Sequence, residues 1–326
     1  MRVVWSDDFT KTFFAPPEIV PAWTNRMKKF KEEALERGLE LVEPPLADIK
    51  DFLKVHCEEL VERVVEASET GGVVDYGDTY VYPGSLPVLL RDLGGVYKAY
   101  EIALEQGFGY TPYGGLHHAK RCSAAGFCPL NDVAVLIQKL TEEGKRVAYI
   151  DTDVHHGDGT QQIFYDRSDV LTISMHMYYP GFYPGTGHYT ELGEGEGYGY
   201  SLNVPLPPGT GDQAYVYAFN VIVKRAVEEF KPDVIVAQMG VDGFREDPLG
   251  GRLNLGLHTF YEIGRYYREV SVPVAGAGGG GYGELSVKAM MAELGFEDAL
   301  PTPSPKEVFE RIDYIVKYFE EHVDWF

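Results

Sequence analysis

Six short apolar runs separated by long amphipathic stretches leave few folds open to this chain. They lie at Arg2–Trp5, Arg146–Ile150, Val170–Met175, Tyr200–Leu206, Asp233–Gln238 and Val272–Ala275. Their apolar residues do not simply alternate with polar ones, which is the pattern of strands buried on both faces. Between the runs the spacing becomes helical: over 213–230, Val216, Phe219, Val223, Ala226, Val227 and Phe230 fall on one face. Thr210 with Gln213 offers that helix a capping box, just after the break at Pro207-Pro208-Gly209. Ser304-Pro305-Lys306-Glu307 is a second start signal, with proline at the first helical position. Strands alternating with helices predict an α/β fold whose central, mostly parallel sheet is covered on both faces. Such sheets place their sites beyond the carboxyl ends of the strands.

Those ends carry the chain's chemistry. The run at 146–150 leads into Asp151-Thr152-Asp153-Val154-His155-His156-Gly157-Asp158-Gly159. The run at 233–238 leads into Gly240-Val241-Asp242-Gly243, and that at 272–275 into Gly278-Gly279-Gly280-Gly281-Tyr282. Asp153 and His155 are two residues apart, so in an extended segment their side chains point the same way. Asp242 adds a third ligand from another strand end. Two carboxylates and one imidazole leave positions for water and substrate, as a catalytic metal site requires. An ion held there acidifies water and polarises a carbonyl. Helix capping or buried ion pairing would account for any one of these acids alone, but less well for the set.

The tandem His117-His118, in the loop Gly114–Lys120, is either exposed or a general base near that ion. A base needs a carboxylate behind it to orient the ring, and Asp151 and Asp158 are available for the role. Tyr282, after four glycines that allow close backbone approach, can bring its hydroxyl to a developing oxyanion. The segment 176–200 holds Tyr178, Tyr179, Phe182, Tyr183, Tyr189, Tyr198 and Tyr200, which either wall a narrow tunnel or pack in the core. Gly276-Ala277-Gly278-Gly279-Gly280-Gly281 matches the GxGxxG spacing of dinucleotide sites. It lies near the end of the chain, with no acidic residue on a following strand, and is rejected as such a site.

Composition removes other classes. The 326 residues fit one large α/β domain, and 44% hydrophobic with 24% charged residues is ordinary for a globular chain. A net charge of −21 argues against a nucleic-acid partner and would draw in cations. No apolar stretch of about 18 residues is present, so no membrane span is expected. The amino terminus lacks a signal-peptide pattern. Three cysteines, Cys57, Cys122 and Cys128, are too few for a disulfide framework, and a reducing, cytoplasmic setting is the simpler expectation.

The motifs GGLHHAK, AGFCPLND, YIDTDVHHGDGT, PGFYPGTG, GVDGFREDPLGG and GGGGYGE follow one another between about Gly94 and Glu284. In them the chain resembles the zinc-dependent histone deacetylase-like hydrolases, which include acetoin-utilisation proteins and acetylpolyamine amidohydrolases. The resemblance implies the three-layer α/β/α arginase-deacetylase fold as one catalytic domain over 1–326. It implies that Asp153, His155 and Asp242 bind zinc, with Fe2+ or another divalent ion as the alternative. His117 and His118 match the tandem general base and acid, paired with Asp151 and Asp158 respectively, and Tyr282 the tyrosine that bonds the acyl oxygen. Gly126, Phe127 and Tyr183 match the walls of the acyl-lysine channel. A structural K+ site falls on the carbonyls of Asp151, Asp153, His155 and Met175 with the Ser174 hydroxyl; a second, weaker one involves Phe164, Val170 and Tyr200.

The expected reaction is deacetylation of an acetyl-lysine side chain or an acetylated polyamine. The expected partner is an acetylated cationic small molecule or an acetyl-lysine protein, with no nucleic acid or membrane. A non-catalytic acyl-ligand sensor on the same scaffold is the alternative. Arginase-like ureohydrolases hold two manganese ions and need a second aspartate two residues beyond the Asp242 position, where this chain has Phe244. The chain departs from the family pattern at Tyr183, where many relatives have Phe, and at Gly243-Phe244 beside Asp242. It also departs at Pro16-Pro17-Glu18, in place of His-Pro-Glu. Asp78 stands where a rim aspartate anchors substrate backbone.

Overall fold

The computed structural model describes residues 1–250 and 252–326. Its centre is a six-stranded sheet: β1 (Phe108–Thr111), β2 (Val147–Asp151), β3 (Val170–Met177), β4 (Ser201–Leu206), β5 (Val234–Gln238) and β6 (Val274–Ala277). The spatial order is β1-β6-β5-β2-β3-β4, and every pairing is parallel. All residues of β2, β3 and β5 are buried, which explains the unbroken apolar runs. Each side chain such as Ile150 or Val236, fully buried there, stabilises the fold by roughly 1.5–3 kcal/mol.

Five of the six expected runs lie in this sheet, with boundaries within two residues of those read from sequence. Arg2–Val4 instead pairs with Glu40–Val42 in a separate two-stranded sheet. Strand β1 escaped notice because Phe108-Gly109-Tyr110-Thr111 is short and holds a glycine that strand statistics disfavour. That glycine is needed: a Cβ on Gly109 would stand 2.0 Å from the Ala99 carbonyl oxygen of helix Leu86–Gln106, packed against β1.

The helix expected over 213–230 forms as Asp212–Ala218, a π-helical turn Phe219–Lys224, and Arg225–Phe230. Its start differs from the local reading. Thr210 bonds the Pro207 carbonyl instead, and the amides of Gly211 and Ala214 donate to Ser304 Oγ at 3.0 and 3.1 Å. Ser304, expected to open its own helix, thus caps another one, while Pro305 occupies the cap position of Lys306–His322. Two cysteines also meet: Cys57, before helix Glu58–Thr70, is disulfide-bonded to Cys122 in the loop that follows His118. Among the described residues no helix is long and apolar enough to cross a membrane.

The register lines up Thr111, Ala277, Gln238, Asp151, Ser174 and Asn203 in one row across the carboxyl edge of the sheet. The order reverses between β5 and β2, which opens the crevice where such folds seat a ligand.

Candidate active site

Asp153 and His155 follow β2 by two and four residues, and Asp242 follows β5 by four, so all three reach that crevice. Each offers a ligand atom, and these atoms lie within 4.8 Å of one another. His155 Nδ1 is 2.9 Å from Asp242 Oδ2 and 3.2 Å from Asp153 Oδ1. The outer oxygens are already engaged: Gln238 Nε2 and the Gly280 amide donate to Asp153 Oδ2, and the Val154 amide to Asp242 Oδ1. The inner oxygens face the imidazole, Asp153 Oδ1 while also accepting the His155 amide at 2.9 Å, and such outer partners orient metal ligands. Burial, followed by the charge of Asp153, pushes the Asp242 carboxyl up to about 7. A divalent cation would relieve that repulsion, so the donor set fits one. Glycines keep the space open, since a Cβ on Gly280 would lie 2.1 Å from Asp242 Oδ2 and one on Gly240 2.2 Å from Asp153 Oδ2.

Both tandem histidines are buried beside this cluster, each backed by an acid. His117 Nδ1 lies 2.7 Å from Asp151 Oδ2, and His118 Nδ1 lies 2.7 Å from Asp158 Oδ1. Each Nδ1–H therefore donates to its carboxylate and leaves Nε2 free. Tyr149 also donates to Asp151 Oδ2, and Lys120 Nζ reaches Asp158 Oδ2 at 2.9 Å. Burial would depress His117, but the carboxylates of Asp151 and Asp153 outweigh it and hold the ring up at about 9. His118 is pushed down to about 4 by burial and then by its neighbour His117. The two rings are thus pulled in opposite directions.

Tyr282 comes in from the glycine turn after β6, with its amide held by Asp247 Oδ2 at 2.6 Å. Burial, foremost, and the charge of Asp242 raise its phenol well above the ordinary value, so the hydroxyl keeps its proton. A narrow cavity is lined by Tyr282, both tandem histidines, Asp153 and His155.

Phe127 meets the Tyr282 ring edge-on at 5.9 Å, and Tyr183 meets His118 edge-on at 5.0 Å. Gly126 is required between them: a Cβ there would stand 2.5 Å from His118 Cδ2 and 2.9 Å from the Tyr183 hydroxyl. Of the aromatic segment, Phe182 also reaches the site, stacked on His155 at 5.0 Å. Tyr189 packs on Tyr314 and Tyr318, and Tyr200 on Phe230 and Trp325, away from it. The Asp78 carboxylate accepts the Gly126 amide at 3.1 Å, beside the channel wall.

Of the residues assigned to potassium, Asp151 ends β2, Asp153 and His155 follow it in the loop, and Ser174 and Met175 lie on the neighbouring β3. Ser174 pairs in register with Asp151, and its hydroxyl is 2.9 Å from His176 Nδ1; the Met175 carbonyl accepts the Tyr215 hydroxyl at 3.3 Å. Gly251, which ends the GVDGFREDPLGG run, lies outside the described residues.

Sequence reasoning missed Arg26. This arginine of helix Val20–Glu36 is fully buried and donates to the carbonyls of Gly279, Gly280 and Gly281 at 3.0, 3.1 and 2.9 Å. It braces the turn that carries Tyr282, and a sequence separation of 253 residues hid the contact. It missed Gln238 too, because a glutamine closing an apolar strand carries no motif.

Comparison with known proteins gives the family and the fold. The histone deacetylase domain matches residues 19–295. A probable deacetylase of Archaeoglobus fulgidus is 38% identical over 256 residues, covering 76% of this chain and 70% of that protein. The acetoin utilization protein AcuC of Staphylococcus aureus is 36% identical, covering 79% and 71%. Histone deacetylase 9 of Arabidopsis thaliana is 42% identical over 63% of this chain, which spans 47% of the plant protein. The crystal structure of the HDA15 HD domain superposes with a TM-score of 0.88 at 25% identity, covering 99% of this chain and 95% of that one.

Proposed function

The chain belongs to the histone deacetylase domain family, and from that premise we propose that it is a metal-dependent amidohydrolase that deacylates a cationic amine. The substrate is the acetyl or small acyl amide of a lysine side chain or of a polyamine. One observation carries the reading: an Asp/His/Asp cluster within 4.8 Å faces two buried histidines, each bonded to its own acid.

Asp153, His155 and Asp242 would hold the divalent ion, zinc by resemblance or iron(II). When bound it supplies Lewis acidity to a carbonyl and acidifies water. The remaining work falls to the chain's own side chains. The opposite shifts of the two rings favour exchanging the roles expected from sequence: His118, neutral and oriented by Asp158, takes a proton at Nε2 as water attacks the amide carbon. His117, held by Asp151, keeps a proton to give to the leaving amine. The Tyr282 hydroxyl donates to the carbonyl oxygen as negative charge builds there. Gly126, Phe127, Phe182 and Tyr183 form the wall along which the methylene chain enters and water is kept out. Asp151, Asp153, His155, Ser174 and Met175 would seat a structural potassium ion. The proposal takes 1–326 as one catalytic domain; the cytoplasmic setting expected from the cysteine count loses that support, because Cys57 and Cys122 are bonded. The charge of −21 suits a cationic amine.

The test is turnover of acetyl-lysine peptides and acetylspermidine-type amines by metal-loaded protein, with metal content measured in parallel. Tyr282→Phe is expected to lose roughly 10²–10³ in rate while keeping its metal, and Asp242→Asn to lose the metal. Full turnover by Tyr282→Phe, or by metal-stripped protein, would overturn the scheme. Wild-type protein that binds acetylated amines without hydrolysing them would instead be a sensor.

A further inference from the structure

Behind the tandem histidines lie two acids that neither the metal cluster nor the histidine pairs employ. Asp132, which opens helix Asp132–Glu142, accepts the amides of Gly115 and Leu116 at 2.8 and 2.7 Å. Its carboxylate thereby pins the two residues that precede His117. Asp92, on helix Leu86–Gln106, is 0% exposed, and neither of its oxygens has a donor. The two carboxyl groups converge on Gly114: a Cβ built there would stand 2.3 Å from Asp92 Oδ1 and 2.4 Å from Asp132 Oδ2.

Two buried carboxylates this near each other do not both stay charged. Asp132 has two amide donors and the positive end of its own helix, so it keeps the charge. Asp92 has an acceptor within reach and no donor, so its own proton completes the contact. The other ionisable groups near the pair are occupied or uncharged. Tyr113 spends its hydroxyl on the Thr12 carbonyl, Tyr149 on Asp151, and the buried Cys128 thiol is held in its neutral form. Arg26 directs its two terminal nitrogens to backbone carbonyls. Burial, then the charge of Asp132, raises Asp92 well above the usual carboxyl range.

We propose that Asp92 carries a proton and donates it to Asp132, forming an acid pair that locks Gly114–Leu116 and so aims His117 and His118. Asp92 is a positioning residue that touches neither substrate nor metal ligands. Its effect on turnover rests on the proton-transfer reading of the histidines above; its protonation does not.

Infrared spectroscopy in H2O and D2O separates the two. Wild-type protein at neutral pH is expected to show the C=O stretch of a buried carboxylic acid, part of which vanishes in Asp92→Asn. The difference between the two proteins makes the assignment, because the fully buried Glu293 is a second candidate. In turnover, Asp92→Asn retains a donor and should stay near wild type. Asp92→Leu has none, and its kcat should fall on the order of 10²-fold with KM little changed. An acid band identical in wild type and Asp92→Asn, or an asparagine variant as impaired as the leucine one, overturns the proposal. If wild type shows the Asp92 band but hydrolyses no amide, the acid pair stands and the functional reading falls.

Discussion

The imidazole of His56 sits behind the loop of the tandem histidines, accepting the Asn131 amide at Nε2 and donating from Nδ1 to the Lys120 carbonyl, both at 2.9 Å. Both bonds require the neutral ring. Burial pushes its pKa down from 6.5 to about 4 in the folded protein. Between those values the unfolded chain binds the extra proton, so stability rises with pH across this window. The contribution is complete above pH ~6.5 and is lost as pH falls toward ~4, for about 3 kcal/mol. Urea titrations of wild type and His56→Gln at several pH values measure it, with the variant expected to show a shallower slope. An unchanged slope would assign the linkage to another group. At this scale the sequence was highly legible for Asp153, His155, Asp242, His117, His118 and Tyr282, which the structure gathers at one crevice. Strand ends announce themselves, and few residue types can hold a cation or move a proton. His56 escaped because a lone histidine before a cysteine has no local signature of its partners.

Among elements, the segment after His118 is tied to helix Glu58–Thr70 twice. The Cys57 amide donates to the Arg121 carbonyl at 2.9 Å, and Cys57 is bonded to Cys122. With a sequence separation of 65 the bond closes a long loop, which in the chain-entropy treatment stabilises the fold by about 4 kcal/mol. Cys57→Ser, or a strong dithiol reductant, is expected to lower the thermal midpoint by several degrees in a calorimetric scan, whereas Cys128→Ser should not respond to reductant differently from wild type. A wild-type midpoint insensitive to reductant would dismiss the bond as a stabilising element. Cysteine counting argued against a framework of bridges, and a single pair leaves no spacing pattern to read. The helix from Asp212 teaches the same lesson. Its extent was legible from 3.6-residue periodicity, but its cap comes from Ser304, and Thr210, the local candidate, turns elsewhere.

For the molecule as a whole, 50 acidic against 29 basic residues make the chain that holds this site, which we assign to cationic amines, strongly negative. Long-range attraction should raise the encounter rate and weaken with salt, since the screening length shortens from about 10 Å at 0.1 M to about 3 Å at 1 M. KM for a polyamine-type acetyl amide is therefore expected to rise with ionic strength, and that for a neutral acetamide of similar length to stay flat. Equal responses from both substrates would show that net charge plays no part in capture.

By itself the sequence determined the layered α/β architecture, the strand ends that bear chemistry and the residue types gathered there. Periodicity and chemical necessity both act over a few neighbouring positions. Only the tertiary structure decided that Arg26 braces the Tyr282 turn, that Ser304 caps a distant helix and that Asp92 confronts Asp132. These contacts join positions 40 to 255 residues apart, and burial gives them their energy, so no local pattern records them.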